Sequence, residues 1–166
     1  AWARIARSHL GGLPPEVDLK AEVALGNVVR ALSAADGPDG RPLVRAAHDL
    51  SNGGLVQSLV DSALRFGIGG VFDVAGAARR DCVGDHEMLL SESQARAFVA
   101  VPESAVKAVF AAAEAEGVDA VRIGTTGGDM LAISGVDLLA AEGEGCGWIA
   151  SIDELRELSE TGRKYF

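Results

Sequence analysis

The stretch Ala46-Ala47-His48-Asp49-Leu50-Ser51-Asn52-Gly53-Gly54-Leu55 constrains the fold of this chain more than any other. The apolar run Leu43–Ala47 predicts a strand, and it stops at a carboxylate, a hydroxyl and two glycines. Leu55, Leu59 and Ala63, with Val56 and Val60 beside them, then recur at helical spacing. A helix that starts so abruptly carries unpaired N–H groups and a partial positive charge at its first turn. Two glycines there remove the Cβ atoms that would keep a second backbone or an anionic ligand at a distance. Asp49 can hold a hard cation such as Mg2+, which takes a few carboxylates together with phosphate oxygens. The same residues permit a plainer reading, an ordinary cap by Ser51 or Asn52 over a tight helix entry. No Lys-Ser/Thr pair follows the glycines, so this is not a Walker loop.

With 166 residues, 48% of them hydrophobic, the chain is read as one domain, 1–166, with a real core. A net charge of −9 argues against nucleic acid as a partner, since phosphate backbones need clustered Lys and Arg. The basic clusters are short, Arg79-Arg80 and Arg163-Lys164, and read as solvated ends. No apolar run approaches the roughly 18 residues that would span a membrane. No signal peptide is visible, so the expected compartment is the cytoplasm. A start at Ala1-Trp2-Ala3 rather than methionine is what a processed product or a piece of a longer chain would show. Cys82 and Cys146 match no zinc or redox spacing, and a nucleophilic Cys82 would lean on His86 alone.

Along the chain, helices and strands alternate. Pro14 and Pro15 precede a helical pattern from Glu16 to Ala35, with Val17, Val23, Val28 and Leu32 on its apolar side. The turn Asp36–Gly40 follows, then the first strand and a helix from Asn52 to Phe66, closed by Gly67, Gly69 and Gly70. A strand is expected at Val71–Val74, and residues 76–88 read as an irregular connection. Ala95–Val101 reads as a strand and Glu103–Glu116 as a helix stopped by Gly117. Ala120–Ile123 and Met130–Ile133 read as strands that pair as a hairpin around a turn at Gly124–Gly128, with Val136–Leu139 extending that edge. Segments 1–15 and 142–150 read as flexible. Ser151 with Glu154 forms a capping-box signature that opens a last helix to Thr161, stopped by Gly162. The expected class is α+β, a mixed β-sheet with helices packed on its faces. The 124–128 turn is too short for a parallel crossover, which argues against a purely parallel sheet.

A second polar cluster lies at Leu89-Leu90-Ser91-Glu92-Ser93-Gln94-Ala95-Arg96. In an extended backbone Glu92 and Gln94 share one side and Ser93 takes the other. The cluster can converge on a ligand, or it can be the exposed mouth of a strand with Ser91 or Ser93 tying up local amides.

Together, His48-Asp49-Leu50-Ser51-Asn52-Gly53-Gly54-Leu55 and the later Leu90-Ser91-Glu92-Ser93-Gln94-Ala95-Arg96 resemble the C-terminal domain of the aminoimidazole ribonucleotide synthetase superfamily. Within it the likeness is nearest to the phosphoribosylformylglycinamidine synthases of de novo purine biosynthesis. It covers residues 1–160, through Arg122-Ile123-Gly124 and the Gly-rich segment after it. The resemblance implies a C–N ligase. ATP and Mg2+ serve to phosphorylate the formyl amide oxygen of formylglycinamide ribonucleotide, and glutamine-derived ammonia displaces the phosphate to give the amidine. It also implies that the chain is the last C-terminal domain of a longer multidomain synthetase. The expected partners are the preceding domains, a glutaminase subunit, a small accessory subunit and a small-molecule nucleotide substrate.

By the family pattern Asp49 matches a metal-contacting carboxylate and Ser51, with Gly53 and Gly54, a nucleotide-binding turn in the second, pseudo-symmetric site. Glu92, Ser93 and Gln94 match a substrate-binding stretch. No catalytic residue is expected here, because the family's phosphate-handling loops and catalytic His belong to N-terminal domains. His48 does not match that His, and Asn52 stands where an acidic residue is common. The isolated chain is therefore expected to be inactive. Two other readings remain: a non-catalytic module that packs between domains, or a domain of another superfamily member such as thiamine-monophosphate kinase, selenophosphate synthetase or a hydrogenase maturation protein.

Overall fold

In a computed structural model the described residues are Ser8, 16–135 and 147–162. Asp18 starts the first helix, α1 (Leu19–Ser33), its carboxylate accepting from the N–H groups of Lys20 and Ala21 at 2.9 and 3.2 Å. That satisfies two of the donors a helix start leaves over. Val28 and Leu32 are buried on α1, whereas Val17 and Val23, expected on the same apolar side, are exposed. The Asp18 cap explains Val17, which lies before the helix and outside its periodicity.

Strand β1 (Ala46–Asp49) begins three residues later than expected, so Asp49 is its last residue rather than part of a loop. Gly53 and Gly54 follow at φ +78° and +68°, and helix α2 (Gly54–Phe66) starts from them. Leu55, Leu59 and Ala63 are buried along one side of α2, as the spacing predicts. Gly67 ends it in the left-handed region, its N–H donating to the Ala63 carbonyl at 2.9 Å.

Strand β2 (Gly70–Asp73) leads into two short helices, α3 (Ala75–Asp81) and α4 (Asp85–Leu90). These replace the irregular connection expected at 76–88. Helices of seven and six residues are too short to display a 3.6-residue period, and the buried Ala77, Ala78, Met88 and Leu89 hold them in place. Strand β3 (Ala97–Ala100), a single turn of 3-10 helix (Glu103–Ala105) and α5 (Val106–Ala115) follow. The chain continues through β4 (Gly124–Thr126), β5 (Met130–Ser134), β6 (Gly147–Ser151) and α6 (Ile152–Gly162).

Two sheets result. β1 and β3 pair antiparallel, with His48 opposite Phe98 and Asp49 opposite Ala97. The other sheet has the order β4-β2-β5-β6, with β2 and β5 parallel and the outer pairs antiparallel. The expected hairpin of 120–123 with 130–133 is absent. Residues 120–123 form no strand, the supposed turn at 124–126 is itself β4, and β2 lies between β4 and β5. A long-range strand has taken the place that a local pairing would have filled. Gly147–Ser151, all but the last residue of which falls in the segment expected to be flexible, pairs with β5 instead. The rest of that segment (142–146), Cys146, Val136–Leu139, Arg163-Lys164 and, apart from Ser8, residues 1–15 lie outside the described residues.

One face of the four-stranded sheet is packed. Phe72, Leu131, Ile133 and Ala150 share a core with Leu55 and Leu59 of α2, Met88 and Leu89 of α4, and Leu155 of α6. A second cluster joins Val28 and Leu32 of α1 to Leu43 and Ala105, with Val109 of α5 against it. On the other face of the sheet Val71 and Ile149 stay 63% and 64% exposed, so the described helices cover only one side. The class is α+β, as expected.

Candidate functional site

The expected site residues come from two stretches far apart in sequence, and the β1–β3 pairing brings them together. Past the end of this ribbon the Leu50 N–H donates to the Arg96 carbonyl at 2.9 Å. One step further the Gly53 N–H donates to the Glu92 carboxylate at 2.9 Å, a contact across 39 positions. A Cβ on Gly54 would stand 2.7 to 2.8 Å from the Leu89 carbonyl, the Leu90 carbonyl carbon and the Ser91 carbonyl. Gly54 is therefore glycine for two reasons: its left-handed φ and the backbone pressed against it.

This geometry also decides the role of the polar residues before α2. The helix is capped by Gly53 and no side chain caps it, so neither Ser51 nor Asn52 plays that part. The Gly54 N–H donates to the Ser51 carbonyl at 3.2 Å, which leaves both glycine N–H groups with partners. A carboxylate from within the chain, Glu92, occupies the place at the helix start where an external anion would otherwise bind.

Asp49 is exposed, with 71% of its side chain accessible. The Ser51 hydroxyl, helped by the residue's own N–H and by His48, holds its carboxyl below the usual carboxylate range. At neutral pH it is an ionised carboxylate open to solvent. The His48 ring stacks on Phe98 with centroids 5.9 Å apart, and its Nδ1 is 2.6 Å from the Asp49 carbonyl oxygen and 3.5 Å from the carboxylate. Ser58 is 1% exposed, its hydroxyl 2.9 Å from the carbonyl oxygens of both Asp49 and Gly54. Its single proton serves one of them at a time, tying the end of β1 to the first turn of α2.

Residues 91–96 form no regular element, yet their exposure alternates: Glu92 and Gln94 outward, Ser91 and Ser93 half-buried. The Ser91 and Ser93 hydroxyls are hydrogen-bonded, and the Ser93 N–H donates to the Ser91 hydroxyl at 3.3 Å. Two residues outside the sequence-based candidates brace this segment. The Ala95 N–H donates to the Glu22 carboxylate of α1 at 2.8 Å. The Arg96 guanidinium donates to the Met88 and Ser91 carbonyls, each at 3.3 Å. Burial draws the pKa of Arg96 down, partly offset by the Asp81 carboxylate. Nothing local marks Glu22, which reads as one more acidic residue in an amphipathic helix.

Among the described residues no group of three or more His, Cys, Asp and Glu side chains could hold a metal ion. Asp49 fits Mg2+ as one ligand of a shell completed by other oxygens, such as phosphates, and no more. Cys82 is an exposed free thiol, hydrogen-bonded at 3.7 Å to the Arg79 carbonyl. An apolar groove of about 850 Å³ runs along α1, β3 and α5, and neither Asp49, Ser51, Gly53, Gly54 nor Glu92–Gln94 lines it. The candidate residues form an open wall beside the ribbon, outside that groove. Among the described residues no helix is long and apolar enough to cross a membrane.

Comparison with known proteins places these features in context. Residues 2–134 match the model of the family described as AIR synthase related protein, C-terminal domain. Phosphoribosylformylglycinamidine synthase subunit PurL of a Nocardioides strain is 42% identical over 134 residues, which is 81% of this chain and 16% of that protein. The PurL subunit of Renibacterium salmoninarum is 42% identical over 166 residues, 99% of this chain and 20% of the relative. The chain thus spans a fifth or less of the length of these curated relatives. Among solved structures, phosphoribosylformylglycinamidine synthase II of Thermotoga maritima superposes with a TM-score of 0.61 at 15% identity, covering 88% of this chain and 28% of that one. T. maritima PurL complexed with ATP gives 0.54 at 16% identity, covering 68% and 19%. At such identities these structures show a shared fold alone.

Proposed function

The chain belongs to the AIR synthase related protein C-terminal domain family, and on that premise we propose that it is the last C-terminal domain of a phosphoribosylformylglycinamidine synthase, forming one wall of a nucleotide and Mg2+ site. The parent enzyme would be a cytoplasmic ATP-dependent ligase. It converts formylglycinamide ribonucleotide and ammonia to the amidine, with the ammonia drawn from a glutaminase subunit and a small accessory subunit completing the complex. Residues 1–166 would act as a single domain packed against the preceding ones.

Phosphoryl transfer asks for positioning and for charge neutralisation from several directions. In this reading Ser51, on the turn made by Gly53 and Gly54, faces the nucleotide, and Asp49 would hold Mg2+. When bound, that ion supplies positive charge against the phosphate oxygens. Glu92, Ser93 and Gln94 line the substrate side, and the segment that carries them is braced by Arg96. The observation that carries the reading is the bond from the Gly53 N–H to the Glu92 carboxylate, which joins the two family motifs into one surface. Among the described residues that surface gathers no group of three or more metal-ligating side chains around Asp49, as a domain that shares its site would have.

The test is ATP-dependent amidine formation from formylglycinamide ribonucleotide with ammonia supplied directly. The intact protein that carries this domain should turn over and the isolated chain should not. Amidine produced by the isolated chain, or none produced by the intact protein, would refute the proposal. The exposed Val71 and Ile149 favour a second reading, a non-catalytic module that packs against sister domains. That reading predicts no effect of Asp49 or Ser51 on nucleotide affinity.

A further inference from the structure

We propose that Glu22 of α1, acting through a strained backbone turn at Ala95, is a positioning residue that sets where the Glu92–Gln94 segment stands against the Gly53–Gly54 turn. The inference deepens the proposed function and rests on it, since it takes that segment as the substrate side of the shared site. Ala95 has a φ of +54°, in the left-handed region that a residue with a Cβ enters only at a cost. Its N–H in that conformation points at the Glu22 carboxylate, which accepts it at 2.8 Å across 73 positions of sequence. A hydrogen bond to an ionised acceptor is among the stronger ones available, and here it offsets the strain.

The bend at Ala95 precedes Arg96, whose side chain lies against the segment. There its guanidinium takes the Met88 and Ser91 carbonyls at the end of α4, while its own carbonyl accepts from Leu50. At the other end of the segment the Glu92 carboxylate is fixed by Gly53. Glu22 is the one of these anchors that comes from α1, which packs with α5 in the second core cluster. The segment is therefore referenced to both halves of the core, and the hydrogen bond from Glu22 reaches it at Ala95.

The experiment uses the intact protein with Glu22→Ala, Glu22→Gln, Ala95→Gly and the double change Glu22→Ala with Ala95→Gly. Glu22→Ala should raise KM for formylglycinamide ribonucleotide by about tenfold, the scale of one charge-assisted hydrogen bond, with KM for ATP within about twofold. Glu22→Gln keeps an acceptor oxygen and should stay within about threefold of the parent in KM for the ribonucleotide. Glycine takes a positive φ without strain, so Ala95→Gly should restore most of the loss in the double variant. Hydrogen exchange supplies a readout independent of turnover: the Ala95 amide should lose protection in Glu22→Ala and keep it in Glu22→Gln, with the α2 amides unchanged. Unchanged protection of Ala95 in Glu22→Ala would overturn the contact, and unchanged KM with lost protection would overturn its positioning role. Absence of amidine formation by the unaltered protein would overturn the proposed function and this role with it, whatever the exchange data show for the contact.

Discussion

At Gly54 two independent constraints fall on one residue, a left-handed φ and three backbone atoms of 89–91 within contact distance of any Cβ. Gly54→Ala should cost about 2–5 kcal/mol in denaturant unfolding, the sum of a left-handed penalty and an overpacking cost. Gly40 is the matched control, since it has a φ of +71° with nothing near its Cβ position. Gly40→Ala should cost about 1–2 kcal/mol, from the φ alone. Equal costs at the two positions would mean that the packing of α2 on residues 89–91 is not tight. Asp49 gives a prediction in pH. Its carboxyl sits below the ordinary range when folded, so its stabilising contribution is complete above the unfolded pKa. That contribution drains away as pH falls through the folded value. Ser51→Ala removes the largest cause, and a carboxyl-carbon NMR titration should then show the Asp49 midpoint moving up toward the ordinary value.

At the scale of elements, α6 shows how completely a cap can be written in a sequence. The Ser151 N–H and hydroxyl both lie 2.8 Å from the Glu154 carboxylate, and the Glu154 N–H returns to the Ser151 hydroxyl at 3.2 Å. Ser151→Ala should lower stability by about 1 kcal/mol, read as a shift in thermal midpoint. Leu89 is a sharper test, because it is fully buried and carries the α4 turn against which Gly54 rests. Leu89→Ala should cost about 3–5 kcal/mol in chemical unfolding, and a loss under about 1 kcal/mol would place it outside the core. Elements with a long apolar period, α1, α2 and α6, are legible from residues alone, and of the three α6 has its N-terminal cap written in the sequence as well. The partners of β4 and β5 are not legible, because neighbours in sequence read as a hairpin while β2, more than fifty positions earlier, is the strand that separates them. The site followed the same division. Each motif could be read locally, but the Gly53–Glu92 bond depends on strand pairing, and Glu22 and Ala95 depend on how α1 packs.

For the whole molecule, the arrangement is a small α+β domain whose chemistry-bearing residues line an open surface instead of a closed pocket. A net charge of −9 leaves little to attract a polyanion, yet a nucleotide would be handled at this surface in the proposed function. Its negative phosphates would then need Mg2+ and cationic or N–H groups from facing domains, which agrees with a chain that spans a fifth or less of its relatives. The two readings of the chain part over Asp49 and Ser51: a shared-site domain uses them, and a packing module does not. Calorimetric titration of ATP into the intact protein and its Asp49→Asn variant, with and without Mg2+, separates the two most directly. Loss of one charged metal contact should weaken binding by about tenfold with Mg2+ and leave it unchanged without. Equal affinity of the two proteins in the presence of Mg2+ would contradict a metal-holding role for Asp49 and leave the packing module as the better account.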